Sequence, residues 1–191
     1  MLIRLNDGND IEYEIYGAGI ISSFDEVANV VDCAKGRSDR SKFLSDELEG
    51  HQICKMEPPA MMDGGDILRL GNLFFVGRST RTNDAGIDEL RDLLKHLGHE
   101  LRVVDIPSQA LHLTSICSTP SDQIILAPEG YITPESFGEM PEGCEVIMMP
   151  EEEVYGCNTI GLPGNKVIIA DGYPTVRKTL EEKGFECIVL D

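Results

Sequence analysis

Three short polar segments carry the residues of this sequence whose types and spacing could do chemistry together. Residues 62–66, Met-Asp-Gly-Gly-Asp, place two carboxylates around a glycine pair that permits a close backbone approach. Residues 77–83, Gly-Arg-Ser-Thr-Arg-Thr-Asn, form a cationic loop, and residues 111–115, Leu-His-Leu-Thr-Ser, place a histidine in a strand-like run. A carboxylate, a histidine and an arginine can orient an imidazole, transfer a proton and bind an anion. The candidate chemical residues are therefore Asp63, Arg81 and His112.

Each segment also has a purely structural explanation. An Asp-Gly-Gly-Asp run is a turn in most proteins, and Arg81 before Thr82 and Asn83 can be a surface arginine near the start of a helix. A single histidine in an apolar strand is more often a core residue with its hydrogen bonds satisfied. Taken one at a time the segments predict no function, so their meaning depends on the elements that position them.

The elements that must position these segments recur along the chain. From Asp66 onwards, apolar spacing predicts two strands joined by the turn 71–72, a helix capped by Asp84 and ended by Gly98, and a strand at 101–104. The same strand–strand–helix–strand order restarts at positions 110 and 154, so both intervals are 44 residues. A unit of this size cannot bury its apolar face alone, so successive units must pack against one another.

The other repeats are predicted with their own boundaries. In the second repeat they are strands at 111–116 and 123–127, a short helix at 134–137 and a strand at 145–148. In the third they are strands at 155–160 and 166–170, a helix from Pro174 to Gly184 and a strand at 187–190. An eroded copy upstream comprises a strand at 27–31, a helix at 38–48 and a strand at 52–56, and residues 1–23 form a strand pair.

These repeats predict one α/β domain over residues 1–191, folded as an α/β propeller. The repeats lie near 24–65, 66–109, 110–153 and 154–191, and residues 1–23 are a partial hairpin. The first and last blades are expected to be incomplete. A ring left open exposes strand edges, which favours self-association into a homo-oligomer.

Composition disfavours several classes of protein. The formal net charge of −18 repels phosphate groups, so binding to nucleic acid or to an anionic membrane is not expected. A hydrophobic content of 41% is too high for a disordered acidic tail, and no apolar run approaches the roughly 18 residues of a membrane span. The six cysteines are scattered without CxxC pairs or zinc spacing, which predicts reduced, buried thiols in the cytoplasm and no metal site.

Together and in this order, the three polar segments resemble the motifs of the dimethylarginine dimethylaminohydrolase family, within the arginine deiminase and amidinotransferase superfamily. The family run is Leu-Asp-Gly-Gly-Asp, then Phe-Val-Gly-x-Ser-x-Arg-Thr-Asn, then Leu-His-Leu-Lys-Ser, and it corresponds here to 62–66, 75–83 and 111–115. Asn158, in Tyr-Gly-Cys-Asn, resembles the family's Ala-Asn-Cys/Ala segment. The likeness is specific from about 57 to 191 and weak from 24 to 56. It implies the family's fold, a five-bladed α/β propeller called the pentein fold.

The resemblance implies a hydrolase that cleaves the guanidino C–N bond of N-methylated arginine to give citrulline and dimethylamine. In the family a cysteine thiolate attacks the guanidinium carbon, the amine leaves, and water then releases citrulline. Carried over by position, His112 is the general acid for the amine and then the base for the water, and Asp63 orients and charge-stabilises His112. Arg81 binds the substrate's carboxylate through a bidentate pair, and the site needs no metal or organic cofactor.

Three parts of the family pattern differ in this sequence. The family's acidic pair, in Phe-x-Glu-Asp-Val-Ala-Val, corresponds to Asp25 and Glu26 with the side-chain lengths exchanged, and it would bind the guanidinium. A family arginine in Pro-Ser-Arg-Arg corresponds to Arg40, a further substrate-binding residue. The family nucleophile lies in a C-terminal Leu-Thr-Cys segment that these 191 residues do not contain, and none of the six cysteines matches it. The expectation is therefore a shortened or eroded form of the family.

Functions from three classes stay open. The first is a hydrolase of the family type, acting on methylated arginine or, as an arginine deiminase does, on arginine itself. The second is a catalytically dead relative that keeps a guanidinium pocket and binds a small guanidino molecule. The third is an interaction protein, because the same propeller serves in a ribosome-binding translation factor. The net charge of −18 and the retained aspartate, histidine and arginine disfavour the third class.

Overall fold

The computed structural model describes residues 4–6, 12–16, 19–24, 27–30, 56, 58–96 and 98–191. The chain divides into two units. The first comprises Met1–Asp66 and Thr80–Gly98, and the second comprises Ile67–Ser79 and His99–Asp191. None of the helices in the described ranges is long and apolar enough to cross a membrane.

The first unit contains a four-stranded antiparallel sheet built from neighbouring chain segments. Its strands, paired in chain order, are β1 (Arg4–Asn6), β2 (Glu12–Tyr16), β3 (Gly19–Phe24) and β4 (Val27–Val30). β1 and β2 form the strand pair that the sequence predicts, with Arg4 opposite Glu14, whereas β3 is not predicted. The predicted helix at 38–48, and the predicted strand at 52–56 apart from Met56, lie outside the described residues.

The first unit also contains the long helix α1 (Asp84–His96). Its buried residues recur at helical spacing along one face, and they are Gly86, Ile87, Leu90 and Leu94. The sequence predicts Asp84 as the N-cap, but the cap is Asn83, because its side-chain Oδ1 accepts a hydrogen bond from the Gly86 N–H at 2.9 Å. The predicted end of the helix, before Gly98, is confirmed.

The second unit contains three three-stranded sheets, one for each repeat that starts at 66, 110 or 154. They are β5 (Ile67–Leu70), β6 (Leu73–Arg78) and β7 (Glu100–Asp105); β8 (Ser118–Ser121), β9 (Ile124–Pro128) and β10 (Glu145–Met149); and β11 (Ile160–Leu162), β12 (Lys166–Ala170) and β13 (Glu186–Leu190). In every sheet the first two strands are antiparallel and the second and third are parallel. A parallel pair needs a crossover, and the three crossovers contain α1, the 3-10 helix Pro134–Phe137 and the α-helix Pro174–Glu182. The strand–strand–helix–strand order is therefore confirmed.

Two predicted strands are wrong, because a short helical segment takes their place. The residues predicted as strands at 111–116 and 155–160 instead hold the one-turn helix α2 (Leu113–Ile116) and the end of a 3-10 helix (Glu151–Cys157). Leu113 and Ile116 are both buried at a spacing of three, which fits one face of a helical turn and not one face of a strand. His112 therefore precedes a helix instead of lying within a strand. The later helix Pro174–Glu182 is α3.

The first strands of the three repeats are neighbours within the second unit, since β8 packs beside both β5 and β11. Gly161 in β11 lies so close to β8 that a Cβ there would come within 2.5 Å of the Pro120 carbonyl oxygen. Apolar side chains also connect successive repeats: Phe75 in β6 and Phe137 in the 3-10 helix Pro134–Phe137 meet edge to face with 5.3 Å between ring centroids. Neighbouring repeats therefore share a core, as repeats that cannot bury their own apolar faces must.

Candidate active site

The Asp-Gly-Gly-Asp segment forms a tight turn that buries Asp63. The Asp63 carbonyl oxygen accepts a hydrogen bond from the Asp66 N–H at 2.9 Å, and Asp63 Oδ1 accepts one from the Gly65 N–H at 3.1 Å. An aspartate that binds the backbone two residues further on is typical of such turns. The turn itself therefore holds both the main chain and the side chain of Asp63, which is only 6% exposed.

Arg81 and Thr82 attach this turn to the start of α1. Arg81 Nη1 lies 3.4 Å from Asp63 Oδ2. Thr82 Oγ1 accepts a hydrogen bond from the Asp63 N–H at 3.0 Å and donates one to Asp66 Oδ2 at 2.7 Å. Thr82 and Asp66 are fully buried, whereas the Arg81 side chain is 44% exposed. Asp63 is thus held at its N–H, at its carbonyl oxygen and at both carboxylate oxygens.

Asn83 continues the same attachment upstream of the turn. Its side-chain amide donates to the Pro59 carbonyl oxygen at 2.7 Å, and its Oδ1 accepts from the Met61 N–H at 3.0 Å. Gly86 makes this approach possible, because a Cβ there would lie 2.2 Å from the Met61 carbonyl oxygen. The Arg-Thr-Asn run therefore holds residues 59–66 against the first turn of α1.

Sequence reasoning finds these motifs but misses what Asp66, Thr82 and Asn83 do within them. Asp66 is seen only as a second carboxylate beside the glycine pair, and the other two only as neighbours of Arg81. The available signal is that both runs are rich in short hydrogen-bonding side chains. Their pairing is a contact between positions 16 to 24 residues apart, which no local periodicity encodes.

His112 lies in the second unit, directly before α2, and is half-buried. The main-chain N–H of His112 donates to Ser115 Oγ at 3.2 Å, and Ser115 Oγ donates to the His112 carbonyl oxygen at 2.6 Å. Ser115 therefore fixes the main chain of the histidine at the start of the helical turn. Asp63 and Arg81 lie in the first unit, where the structure brings them together. The predicted action of Asp63 on His112 stays a prediction.

The remaining predicted site residues have separate outcomes. Asp25, Glu26 and Arg40 lie outside the described residues, so their substrate-binding roles stay predictions. Asn158 is exposed at the end of its 3-10 helix, where its N–H donates to the Tyr155 carbonyl oxygen at 3.3 Å. Across the part of the chain that the structure describes, no group of three or more His, Cys, Asp or Glu side chains could hold a metal ion.

Glu153 is a buried acid that sequence reasoning misses. Its carboxylate accepts hydrogen bonds from the Thr175 N–H at 3.0 Å and the Val176 N–H at 2.9 Å, both in the first turn of α3. Burial alone would raise the pKa of Glu153, but the hydrogen bonds from Val176 and Thr175 stabilise the carboxylate and hold its pKa below the usual value. Glu153 therefore caps α3 from outside the helix.

Asp63, His112 and Glu153 occupy equivalent positions ahead of the first strands of the three sheets, β5, β8 and β11. Asp63 directly precedes the 3-10 turn Gly64–Asp66, and His112 directly precedes α2. Glu153 has non-helical backbone angles, φ −105° and ψ 22°, at a kink in its 3-10 helix, so it directly precedes the second part of that helix, 154–157. A titratable side chain thus stands just before each of the helical segments that lead into β5, β8 and β11.

The cysteines among the described residues are free thiols. Cys117 and Cys157 are buried, as predicted from their apolar surroundings. Burial raises the pKa of Cys117 well above its usual value, and the neighbouring Cys157 adds to this. Burial and the charge of Glu153 raise the pKa of Cys157 to about 12. Because the thiolate is the reactive form, the raised pKa disfavours both residues as nucleophiles at neutral pH.

The sequence is similar to known enzymes, although no protein-family model matches it. Over 138 residues it is 33% identical to the N(G),N(G)-dimethylarginine dimethylaminohydrolase of Streptomyces coelicolor. This match covers 70% of this chain and 48% of that protein. Over 140 residues it is 29% identical to the enzyme of the same name from Pseudomonas aeruginosa. This match covers 73% of this chain and 53% of that protein. The chain therefore spans about half the length of these curated relatives.

The fold is similar to that of solved structures with the same activity in their names. A mutant of the Pseudomonas aeruginosa dimethylarginine dimethylaminohydrolase, complexed with citrulline, matches with a TM-score of 0.71 and 26% identity over 90% of this chain and 66% of that chain. A dimethylarginine dimethylaminohydrolase adduct with 4-chloro-2-hydroxymethylpyridine matches with a TM-score of 0.73 and 25% identity over 90% and 68%. An amidinotransferase from Microseira wollei shares the fold, with a TM-score of 0.74 and 16% identity over 85% and 61%. These likenesses confirm the predicted fold class, an α/β propeller of the pentein type.

Three kinds of observation agree on the family. The motif segments 62–66, 75–83 and 111–115 stand in the family's order. The Streptomyces and Pseudomonas enzymes match by sequence, and the solved enzyme structures match by fold. This chain is therefore similar in sequence and fold to the dimethylarginine dimethylaminohydrolase family, and it spans about half the length of the curated members that it matches.

Proposed function

We propose that the protein hydrolyses a guanidino C–N bond and converts an N-methylated arginine to citrulline and dimethylamine. The observation that supports this most is the buried Asp63, held by Arg81 and Thr82 within two motif runs of the family. Burying a carboxylate costs free energy unless hydrogen bonds compensate it. An aspartate held at four points, two of them on its carboxylate, is what a catalytic group needs and more than a surface turn requires.

His112 is the proton-transfer group in this proposal. In the first half of the reaction its imidazolium donates a proton to the departing amine, and in the second half the imidazole takes a proton from water. The residue is half-buried, so its ring is shielded from bulk water without being sealed from a small substrate. Asp63 acts as the carboxylate that stabilises the charged form of the ring, a role that acids play in other catalytic sets.

Arg81 binds the carboxylate of the substrate. A guanidinium carries five N–H donors in a planar fork, and the contact with Asp63 involves Nη1 at 3.4 Å. The side chain is 44% exposed, so a small anion can reach it. The acids Asp25 and Glu26 bind the guanidinium end of the substrate, and Arg40 adds to substrate binding.

A cysteine thiolate is the nucleophile in this proposal, and it is neither Cys117 nor Cys157. The thiolate bonds to the guanidinium carbon, and the C–N bond to dimethylamine breaks as the amine takes a proton from His112. Water then adds to the same carbon, the C–S bond breaks, and citrulline and the thiolate are released. The raised pKa of both buried thiols disfavours them in this role at neutral pH.

The raised pKa of Cys117 and Cys157 favours a second candidate function, one that needs no nucleophile. If no thiolate is available, the arginine and the carboxylates still serve binding, and the protein is a guanidino-binding relative without turnover. Binding depends on charge pairing, whereas hydrolysis depends on the nucleophile. The two functions therefore differ in one measurable property, the release of citrulline.

Citrulline release from dimethylarginine, with arginine as a parallel substrate, tests both candidates. Turnover of dimethylarginine that is lost in His112→Ala and kept in His96→Ala, a matched change of an exposed histidine in α1, supports the hydrolase. Citrulline from arginine alone would assign an arginine deiminase-like reaction instead. Calorimetric binding of dimethylarginine without citrulline supports the binding protein. If neither citrulline release nor binding is observed, both candidate functions are overturned.

A further inference from the structure

We infer that Thr82 and Asp66 are positioning residues for Asp63. The Thr82 hydroxyl, oriented by the Asp66 carboxylate, fixes the main chain from which the Asp63 side chain projects. The inference deepens the proposed function, and its catalytic consequence rests on that function. The positioning itself is a property of the first unit alone, because Asp63, Asp66 and Thr82 all belong to it.

The direction of the hydrogen bonds carries the inference. A hydroxyl has one proton to donate and lone pairs to accept with, whereas an ionised carboxylate only accepts. Thr82 Oγ1 donates to Asp66 Oδ2 at 2.7 Å and accepts from the Asp63 N–H at 3.0 Å. The carboxylate of Asp66 therefore points the hydroxyl proton of Thr82 towards itself, and a lone pair of the oxygen is left facing the Asp63 N–H.

Burial shows that this arrangement serves orientation. Asp66 and Thr82 are 0% exposed. A buried carboxylate paired with a hydroxyl is costly to desolvate, and apolar residues of similar volume commonly stabilise such a position as well or better. What an apolar pair cannot do is hold the N–H of a neighbouring residue in one place. The polar pair is therefore explained by its effect on Asp63.

The carboxylate of Asp63 is supported independently of its main chain. Oδ1 accepts from the Gly65 N–H at 3.1 Å, and Oδ2 lies 3.4 Å from Arg81 Nη1. A catalytic group has to stay within about 0.5 Å of its working geometry. The side-chain contacts fix the rotation of the carboxylate, and the Thr82 hydroxyl fixes the point from which it starts.

Backbone amide hydrogen exchange, measured by NMR on the full chain, tests the positioning without requiring turnover. Thr82→Val keeps the shape and removes the hydroxyl, and Thr82→Ser keeps the hydroxyl. We expect Thr82→Val to speed exchange of the Asp63 N–H by at least about tenfold relative to the Gly86 N–H, which bonds to Asn83 instead. Thr82→Ser is expected to leave this ratio near that of the unchanged protein.

Asp66→Asn provides a second variant with a different mechanism. An asparagine amide can donate to the Thr82 oxygen and so compete with the Asp63 N–H for it. We therefore expect the ratio of Asp63 to Gly86 exchange to rise in Asp66→Asn as well. Equal acceleration of both amides in Thr82→Val, or a Thr82→Ser variant as fast as Thr82→Val, would overturn the inference.

Steady-state kinetics links the positioning to the reaction. Thr82→Val is expected to lower kcat by roughly 10- to 100-fold, the cost of a slightly misplaced group, with KM within about twofold of its starting value. Thr82→Ser should restore kcat. A raised KM with unchanged kcat would make Thr82 a binding residue and overturn its positioning role. If the protein neither binds nor turns over a guanidine, the proposed function fails while the exchange ratio still decides how Asp63 is held.

Discussion

The Glu153 carboxylate and the Val176 N–H are 2.9 Å apart, and their hydrogen bond ties the 3-10 helix of the third repeat to the start of α3. A second bond, from the Thr175 N–H at 3.0 Å, makes the contact bidentate. The first N–H groups of a helix have no partner within it and carry partial positive charge, so an ionised carboxylate satisfies both needs. A residue 22 positions upstream therefore does what a local cap does elsewhere.

Removal of this cap is expected to destabilise the fold. Glu153→Ala should lower the free energy of unfolding by about 1–3 kcal/mol, because two helix N–H groups lose a charged acceptor in a buried place. Urea denaturation at neutral pH measures the change. Glu152→Ala, at the exposed neighbouring position, is the matched control and should change stability by less than about 0.5 kcal/mol. Equal effects of the two variants would contradict the capping role.

The contribution of Glu153 to stability is expected to depend on pH. Its folded pKa lies below the ordinary value of 4.5, so the contribution is complete above that value and is lost as the pH falls through the folded pKa. Glu153→Gln removes the ionisation and keeps the size of the side chain. The difference in unfolding free energy between Glu153→Gln and the unchanged protein should therefore shrink on acidification. A difference that grows in acid would contradict the prediction.

Arg81 is expected to control affinity for ligands that carry a carboxylate. Arg81→Ala should weaken the binding of arginine-like ligands by roughly 2–5 kcal/mol, the cost of breaking a charge pair in a site. Isothermal titration calorimetry measures it. Arg91→Ala is a suitable control, because that side chain is similarly exposed, at 41%, and is paired with Asp88 on α1. Unchanged affinity in Arg81→Ala would remove Arg81 from the binding site.

Gly86→Ala is expected to reverse the usual effect of this substitution in helices. Alanine normally stabilises a helix interior over glycine by about 1 kcal/mol. Here the added Cβ would lie 2.2 Å from the Met61 carbonyl oxygen, a backbone atom, so the contact between the two segments must open. We expect a loss of about 1–3 kcal/mol in thermal or urea unfolding. Glu89→Ala, at an exposed position of the same helix, should stay within about 0.5 kcal/mol.

The buried thiols are expected to resist alkylation. With a pKa of about 12 for Cys157 and a strongly raised pKa for Cys117, almost no thiolate forms near neutral pH. Among the four cysteines that the structure describes, iodoacetamide followed by peptide mapping should modify the partly exposed Cys144 and Cys187 first, and should reach the buried pair only after unfolding. Fast labelling of Cys117 or Cys157 in the folded protein would reopen the question of the nucleophile.

Local patterns predict much of the chain from residue 66 onwards, because its repeats are built from local signals. The turn at Gly71 and Asn72, the helix before Gly98 and the crossover after β12 all depend on residues close in sequence, and each is confirmed. The strands predicted at 111–116 and 155–160 failed where alternation was assigned over too few residues. In the first of these segments the buried Leu113 and Ile116 are three positions apart, and this spacing favours a helical turn. The hydrogen bonds between His112 and Ser115 favour it as well.

The sequence indicates some residues of the candidate site by their type, but it does not indicate the contacts between them. Asp63 and Arg81 stand out by residue type, and the structure does join them. The roles of Thr82, Asn83 and Glu153 depend on contacts with segments 19 to 24 positions away, which arise only when the elements pack. Asn83 also replaces Asp84 as the cap of α1, since both residue types suit that position and only the geometry distinguishes them.

The side chain of Asn83 binds the main chain of Pro59 and Met61 and none of their side chains. Main-chain atoms are the same in every amino acid, so this attachment tolerates evolutionary drift at position 61 as long as its N–H is retained. Positions 83 and 86 have no such freedom, because Asn83 supplies the side-chain amide and Gly86 has no Cβ to block the approach of Met61. In a set of related sequences, variability should therefore be high on one side of this contact and nearly absent on the other.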